Sequence, residues 1–304
     1  MADSAHTDPR KRQDFVILFD VQNGNPNGDP DAGNLPRVDP ETMRGIVTDV
    51  CLKRKVRNYV DATRGKDENF KIYVQNKQAL NTLHERAYEQ EGLKSTGSKQ
   101  KKEDINKVRD WMCGNFYDIR TFGAVMTTGV NCGQVLGPVQ FTFAQSVDPI
   151  VPLDVAITRI AITKPEDMDY VEGEDGDAAK GGKVTEMGRK SIVPYGLYLA
   201  NGFYNPVYAD KTGFSSEDLS LLWEAIERMW DLDRSASRGF MALRGLYVFS
   251  HENKLGNAPA HKLLDRVSAK MKDGKEVARS FEDYEVVVDG SDMPEGVTLT
   301  RLAE

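Results

Sequence analysis

The sequence predicts an α+β protein built on a ferredoxin-like βαββαβ core. Three observations predict it. An alternating apolar run, "DFVILFDVQ" at residues 14–22, opens the regular structure, and amphipathic helical patterns follow it near residues 39–57 and 215–230. Glycine-punctuated, β-favouring stretches stand between and after those helices. A chain of 304 residues with 39% hydrophobic content also has enough apolar material to bury a substantial core.

Taken in order, residues 1–13 are polar and read as a loose arm, and in the first strand Phe15, Ile17 and Phe19 share one face. A loop crowded with Asn, Gly and Pro follows, "NGNPNGDPDAGNLPRVDP". Asp39 then caps a helix with Pro40 at its first position, and Met43, Ile46, Val47 and Val50 recur at i, i+3, i+4 and i+7 as its buried stripe. "FKIYV" (70–74) reads as the second strand and "NKQALNTLHERAYEQ" as a second helix ending near Gly92. A basic linker, "LKSTGSKQKKED", leads to a short helix in "DINKVRDWMCGNF". From "YDIRTFGAVM" to "VLGPVQFTFAQSVDP" the composition predicts strands joined by turns, and "VAITRIAIT" one more strand. Residues 164–191 are acidic first and basic last with no core-forming period, as in a protruding hairpin or insertion. "IVPYGLYLANGFYNP" resumes strand character. Ser215 and Asp218 form a capping box for a helix bearing Leu219, Leu222, Trp223, Ile226 and Trp230, and "FMALRGLYVF" is the strand after it. The last fifty residues carry no pattern that places them. Two α+β domains divided near the basic linker are the alternative architecture.

Composition excludes several functions. A net charge of -7 rules out a uniformly basic surface, but not local basic patches. Cys51, Cys113 and Cys132 lie far apart without a CxxC, and no apolar stretch has the length of a membrane span, so a cytoplasmic protein with reduced thiols is expected. His6, His84, His251 and His261 form no HExxH, no G-x-S-x-G occurs, and "AAKGGKV" lacks the first Gly and the Ser or Thr of a phosphate loop. Asn23-x-Asn25-x-Asn27-Gly28 imitates the first half of a calcium loop, yet Asn34 stands where a bidentate Glu would close the shell. No cofactor or metal is expected.

Four basic patches remain. Continuing the stripe from Val50 through "CLKRKVRNYV" reaches Arg54 and Arg57, with Lys53 beside them. Two readings stand: a helix C-terminus whose cations stay solvated, or a face that meets an anion. "DIRTFGAVM" offers Arg120, Phe122, Gly123 and Met126, the mixture of guanidinium, ring and slim backbone that suits a stacked base near a phosphate. The plain alternative is a buried ring beside a surface charge. "TEMGRKS" adds Met187, Arg189 and Lys190, and "DRSASRGF" adds Arg234 and Arg238. Basic patches spread along an acidic chain suggest a defined groove.

The segments "NGNPNGDPDAGNLPRVDPETMRG", "DIRTFGAVM" and "GRKSIVPYGLYLANGF" together resemble the CRISPR-associated backbone subunit of type I-C Cascade, a member of the RAMP superfamily. The resemblance spans most of the chain. It implies one RAMP-type domain over residues 1–304: an RNA-recognition-motif palm, a helical finger at 77–115 and a β-hairpin thumb at 164–190. Copies would stack head to tail along one crRNA, each thumb displacing a nucleotide, so that short segments pair with a target DNA strand in antiviral defence. The implied partners are the pre-crRNA-processing cap subunit, the large PAM-reading subunit, small subunits and a recruited helicase-nuclease. Asn23, Gly24, Asn25 and Asn27 would offer amide donors and open backbone to phosphate and ribose, with Arg44 of "TMRG" joining the basic residues above. Family function is binding without cleavage. The rival is a metal-dependent RNA endonuclease of the related type III backbone class, for which Asp29 and Asp31 occupy the corresponding loop.

Overall fold

Strand β1 (Gln13–Gly24) runs through the middle of the protein, with every residue from Gln13 to Val21 buried. In the computed structural model, which describes residues 5–97, 100–161 and 186–304, β1 is flanked by two antiparallel partners, β10 (Glu186–Tyr204) and β11 (Phe240–His251). Burial on both faces is why the strand is apolar at successive positions, "FVILF", and not only at alternate ones. Phe15, Ile17, Phe19 and Val21 enter one core, and Val16 and Leu18 the other.

The described residues form a mixed α/β structure around an eight-stranded antiparallel sheet. Its order is β14 (Val297–Ala303), β11, β1, β10, β8 (Ala144–Pro149) and β4 (Arg44–Val47), with β7 (Val139–Phe141) and β9 (Leu153–Arg159) also paired along β10. Smaller antiparallel pairs join β2 (Gly28–Asp29) to β3 (Leu35–Pro36), β5 (Gly123–Met126) to β6 (Gly133–Leu136), and β12 (Val267–Met271) to β13 (Tyr284–Val288).

Helices α1 (Asp49–Arg64) and α6 (Ser216–Leu232) cover one face of the sheet. Phe15 meets Trp223 edge-on at 4.9 Å between centroids, and Phe19 stacks on Trp230 at 4.6 Å. Each phenylalanine so buried contributes about 1.5–3 kcal/mol. The Ser215–Asp218 capping box forms as expected, and all five apolar residues predicted for α6 are buried. On the other face, α7 (Ala260–Leu264) and β12–β13 pack over Val16, Leu18, Tyr247 and Phe249, and over Tyr195 and Leu197. The last fifty residues therefore turn the sheet into a middle layer, and nucleic acid has no access to its face there.

A second core lies beside the sheet. Helices α2 (Leu80–Gln90), α3 (Lys102–Asn115) and α4 (Tyr117–Phe122) enclose it with β5 and β6 around Tyr73, Leu83, Val108, Met112, Ile119 and Met126. Helix α5 (Pro206–Thr212) precedes α6.

Three predicted elements are corrected. The first helix starts at Asp49, capped by Thr48, because Asp39 spends its carboxylate on the Glu41 N–H (3.0 Å) and the Thr42 hydroxyl (2.9 Å), closing a turn. Residues 44–47 are β4, Met43 lies at φ 56°, and Val50 is 65% exposed, so the apparent stripe spanned a turn, a strand and a helix start. The true stripe is Leu52, Val56, Tyr59 and Val60. In "FKIYV" Phe70, Ile72 and Tyr73 are buried, but the segment is unpaired apart from a single bridge from Lys71 to Phe116. The Tyr73 and Val74 N–H groups donate to the Asp118 carboxylate at 2.7 and 3.1 Å. "YDIRTF", expected as strand, is helix α4.

Candidate nucleic-acid interface

The Asn-rich loop, the start of α1 and the turn at 235–238 enclose a cleft of about 630 Å³ whose lining includes Asn25, Asn27, Asn34, Arg37, Arg54, Ser237 and Arg238. A second hollow of about 370 Å³ shares Asn25, Asn34 and Ser237 with it, and continues to Asp154, Arg189, Lys190 and Ser191 at the base of the β9–β10 ribbon. Together they make one trough across the end of β1.

The loop sequence builds this trough through close backbone contacts. A Cβ on Gly24 would lie 1.8 Å from the Arg238 carbonyl oxygen, and the Asn25 N–H donates to the Ser237 carbonyl at 2.8 Å. Glycine is thus required for the 235–238 turn to lie against the loop. Asn27 Oδ1 accepts from both the N–H and the hydroxyl of Thr48 at 2.9 Å, which ties the loop to the N-cap of α1. Asn25 Nδ2 donates to the Asn34 carbonyl at 2.7 Å, while its Oδ1 is buried without a partner. Asn27→Ala is expected to cost about 1–2 kcal/mol in urea unfolding, since it orphans two donors at a cap. Asn27→Asp, which keeps the acceptor, should recover most of that loss.

Charge along the trough is cationic on balance. Arg37, Arg54, Arg189, Lys190 and Arg238 line it against two carboxylates, Asp49 and Asp154. Asp49 is already paired with Lys53 at 2.9 Å. Arg54 is held by the Val74 carbonyl at 2.7 Å and Lys190 by the Ala236 carbonyl at 3.1 Å, so both are oriented without being neutralised. Arg238 shares Asp233 with the buried Lys55, whose ammonium burial pushes below the ordinary lysine range. Two cations on one carboxylate leave net positive charge under the trough floor.

The predicted site residues divide. Asn25, Asn27, Arg54, Arg189, Lys190 and Arg238 come together in the trough from four separate stretches of sequence. Asn23 is exposed at φ 50° beside it, Met187 is exposed on the ribbon, and Arg44 lines a different cleft. Arg234 pairs with Asp231 at 2.5 Å and lies over the Phe240 ring. Of the remainder, Arg57, Arg120, Phe122 and Met126 are interior, which corrects their reading as a surface for RNA, and Lys53 and Gly123 are half-buried. Arg57 is buried against Asp118 (2.7 Å), and Arg120 against Asp218 (2.7 Å) with further bonds to the Asn69 and Cys113 carbonyls. Phe122 is 6% exposed under Arg57 and Lys53, and Met126 is fully buried in the second core. Gly123 sits at φ 81°, where a Cβ would strike the Val135 carbonyl. Lys53, tied to Asp49 and Gln140, is no longer free.

Several trough residues were missed, Asn34 and Ser237 of both hollows among them. Arg37 is one, paired loosely with Asp29 at 3.6 Å, and its only signal was a charge among prolines. Phe143 is another: it shares strand parity with Phe141, yet the break between β7 and β8 leaves Phe141 8% exposed and turns Phe143 out to 55%.

Such a surface, rich in amide and guanidinium donors and set at the end of a sheet, is suited to an extended polyanion gripped without regard to sequence. Residues 11–289 match the family CRISPR-associated protein Cas7, and the chain belongs to that family. It is 24% identical over 313 residues to the CRISPR-associated protein Cas7 of Haloferax volcanii, covering 96% of this chain and 84% of that one. Among solved structures it is similar to a chain of a CRISPR RNA-guided surveillance complex, pre-nicking, with a TM-score of 0.48 at 14% identity over 78% of each chain. A chain of another CRISPR RNA-guided surveillance complex gives a TM-score of 0.41 at 15% identity, over 77% of this chain and 68% of that one. No helix among the described residues is long and apolar enough to cross a membrane.

Proposed function

We propose that this chain is the crRNA-binding backbone subunit of a type I-C CRISPR surveillance complex, stacking along the guide and supporting its pairing with a target DNA strand. The observation that carries this reading is the convergence of Asn25, Asn27, Arg54, Arg189, Lys190 and Arg238 on one trough. Donors of this kind grip phosphate and ribose of any sequence, as a guide with variable spacer demands. The strand order β11-β1-β10-β8, with α1 and α6 on one face, supports a ferredoxin-like palm in the RNA-recognition-motif class. We assign α2 and α3 to the finger at 77–115, and take the β9–β10 ribbon as the stem of the thumb at 164–190, most of which lies outside the described residues. The partners are the cap, large and small subunits, further copies of this chain and a helicase-nuclease, in the cytoplasm.

The role is binding, not catalysis. Asp29 Oδ1 accepts the Asp31 N–H at 3.2 Å, closing the turn two residues on, and its carboxylate faces Arg37. Neither Asp29 nor Asp31 lines the trough. The assembled complex with Mg²⁺ or Mn²⁺ is expected to leave complementary RNA intact, and the Asp29→Asn, Asp31→Asn double variant to bind crRNA as well as or slightly better than the parent at low salt. Periodic cleavage lost in that variant would place the protein among the endonucleases. Co-expression with a repeat-spacer array, sizing and RNA extraction tests the main reading: a ribonucleoprotein longer than one subunit with guide-length RNA is expected, and a nucleic-acid-free monomer would contradict it.

A further inference from the structure

We infer that Phe143 is a stacking platform for one unpaired base of the strand held in the trough, and that the cleft behind it is a nucleobase site. The inference rests on the trough reading and adds a contact that no basic residue supplies. Phe143 forms part of the lining of the 630 Å³ cleft and also of a separate cleft of about 460 Å³, so its ring stands on the ridge between them. It is 55% exposed, and slack does not explain that. The Thr142 N–H donates to the Asn201 carbonyl at 2.8 Å, the Asn201 N–H donates to Thr142 Oγ1 at 3.0 Å, and Ala144 next to it is fully buried in β8. The backbone thus holds a large apolar ring outward on a fixed support, which costs solvation unless something flat covers it.

The second cleft has the composition that a base requires. Val267 and Ala269 of β12 form an apolar wall, and exposed Gln145 and Arg44 bring a carboxamide and a guanidinium. Asn201, which also lines it, carries a buried Oδ1 with no hydrogen-bond partner. An exposed carboxamide and guanidinium beside an exposed ring are what the edge and face of a nucleobase would engage together. The cations are mostly on the other side of Phe143, where the backbone of the same strand would run. Because the sheet face is covered by the C-terminal hairpin, this ridge takes the place of any stacking surface on β1 or β10.

The test uses the full chain and single-stranded RNA carrying 2-aminopurine at one position at a time. Stacking on Phe143 should quench the probe at a single position per bound subunit, and Phe143→Ala should restore that emission and weaken binding roughly ten-fold with an unchanged salt slope, as loss of one stacked base predicts. Phe143→Trp should keep both quenching and affinity. Phe143 is exposed, so circular dichroism and the unfolding midpoint of both variants should match the parent. Wild-type affinity and an unaltered probe profile in Phe143→Ala, while a variant of Arg54, Arg189 and Arg238 still loses RNA, would overturn the stacking assignment and spare the trough. If the arginine variant also binds normally, the trough reading falls and the assignment with it.

Discussion

Arg120→Ala is expected to lower folding stability by about 3–5 kcal/mol, the cost of stripping one partner from a buried ion pair. The Arg120 and Asp218 side chains are 5% and 3% exposed, and they meet at 2.7 Å. Asp218 also closes the capping box of α6 with Ser215, so its stranded charge sits where the main core begins. Arg120 stacks on Phe70 and Tyr117 as well, and its other bonds reach the Asn69 and Cys113 carbonyls, which makes it the joint between the two cores. Arg57→Ala should cost somewhat less, because Arg57 holds Asp118 through Nε alone, whereas Arg120 reaches Asp218 through two nitrogens and two backbone carbonyls besides. Urea midpoints measure both. Below the unfolding range, RNA affinity and its salt slope should stay unchanged. A small stability loss with a flattened salt slope would return Arg120 to the RNA surface.

These two arginines also mark where sequence reasoning stops. Isolated patterns were enough for β1, for α6 with its capping box, and for α2 and α3, since each depends on residues within a few positions of one another. Arg57 and Arg120 looked like phosphate ligands because their acids lie far away in sequence, Asp118 and Asp218. Long-range pairing of that kind has no local signature. The misplaced start of α1 has a different cause. Met43, Ile46, Val47 and Val50 satisfied helical spacing by coincidence, and only the Thr48 cap bonded to Asn27 shows where the helix begins. The trough was legible as separate fragments, the Asn loop and the basic patches, and the contact of Gly24 with Arg238 that unites them is a tertiary fact. Phe143 escaped because alternation cannot reveal a break between two short strands.

The central claim is that the trough grips an RNA backbone, and the measurement that reaches it most directly is a salt titration of RNA affinity for the full chain and its Arg54→Ala, Arg189→Ala, Arg238→Ala variant. Each cation removed from a single strand's phosphates should reduce the slope of log K against log salt by about 0.7, so the triple variant should lose roughly 2 from the slope. At low salt its affinity should fall by about 100-fold or more, to a similar extent for every guide sequence tried. Affinity and slope equal to the parent's, in a variant whose circular dichroism shows it folded, would contradict the account.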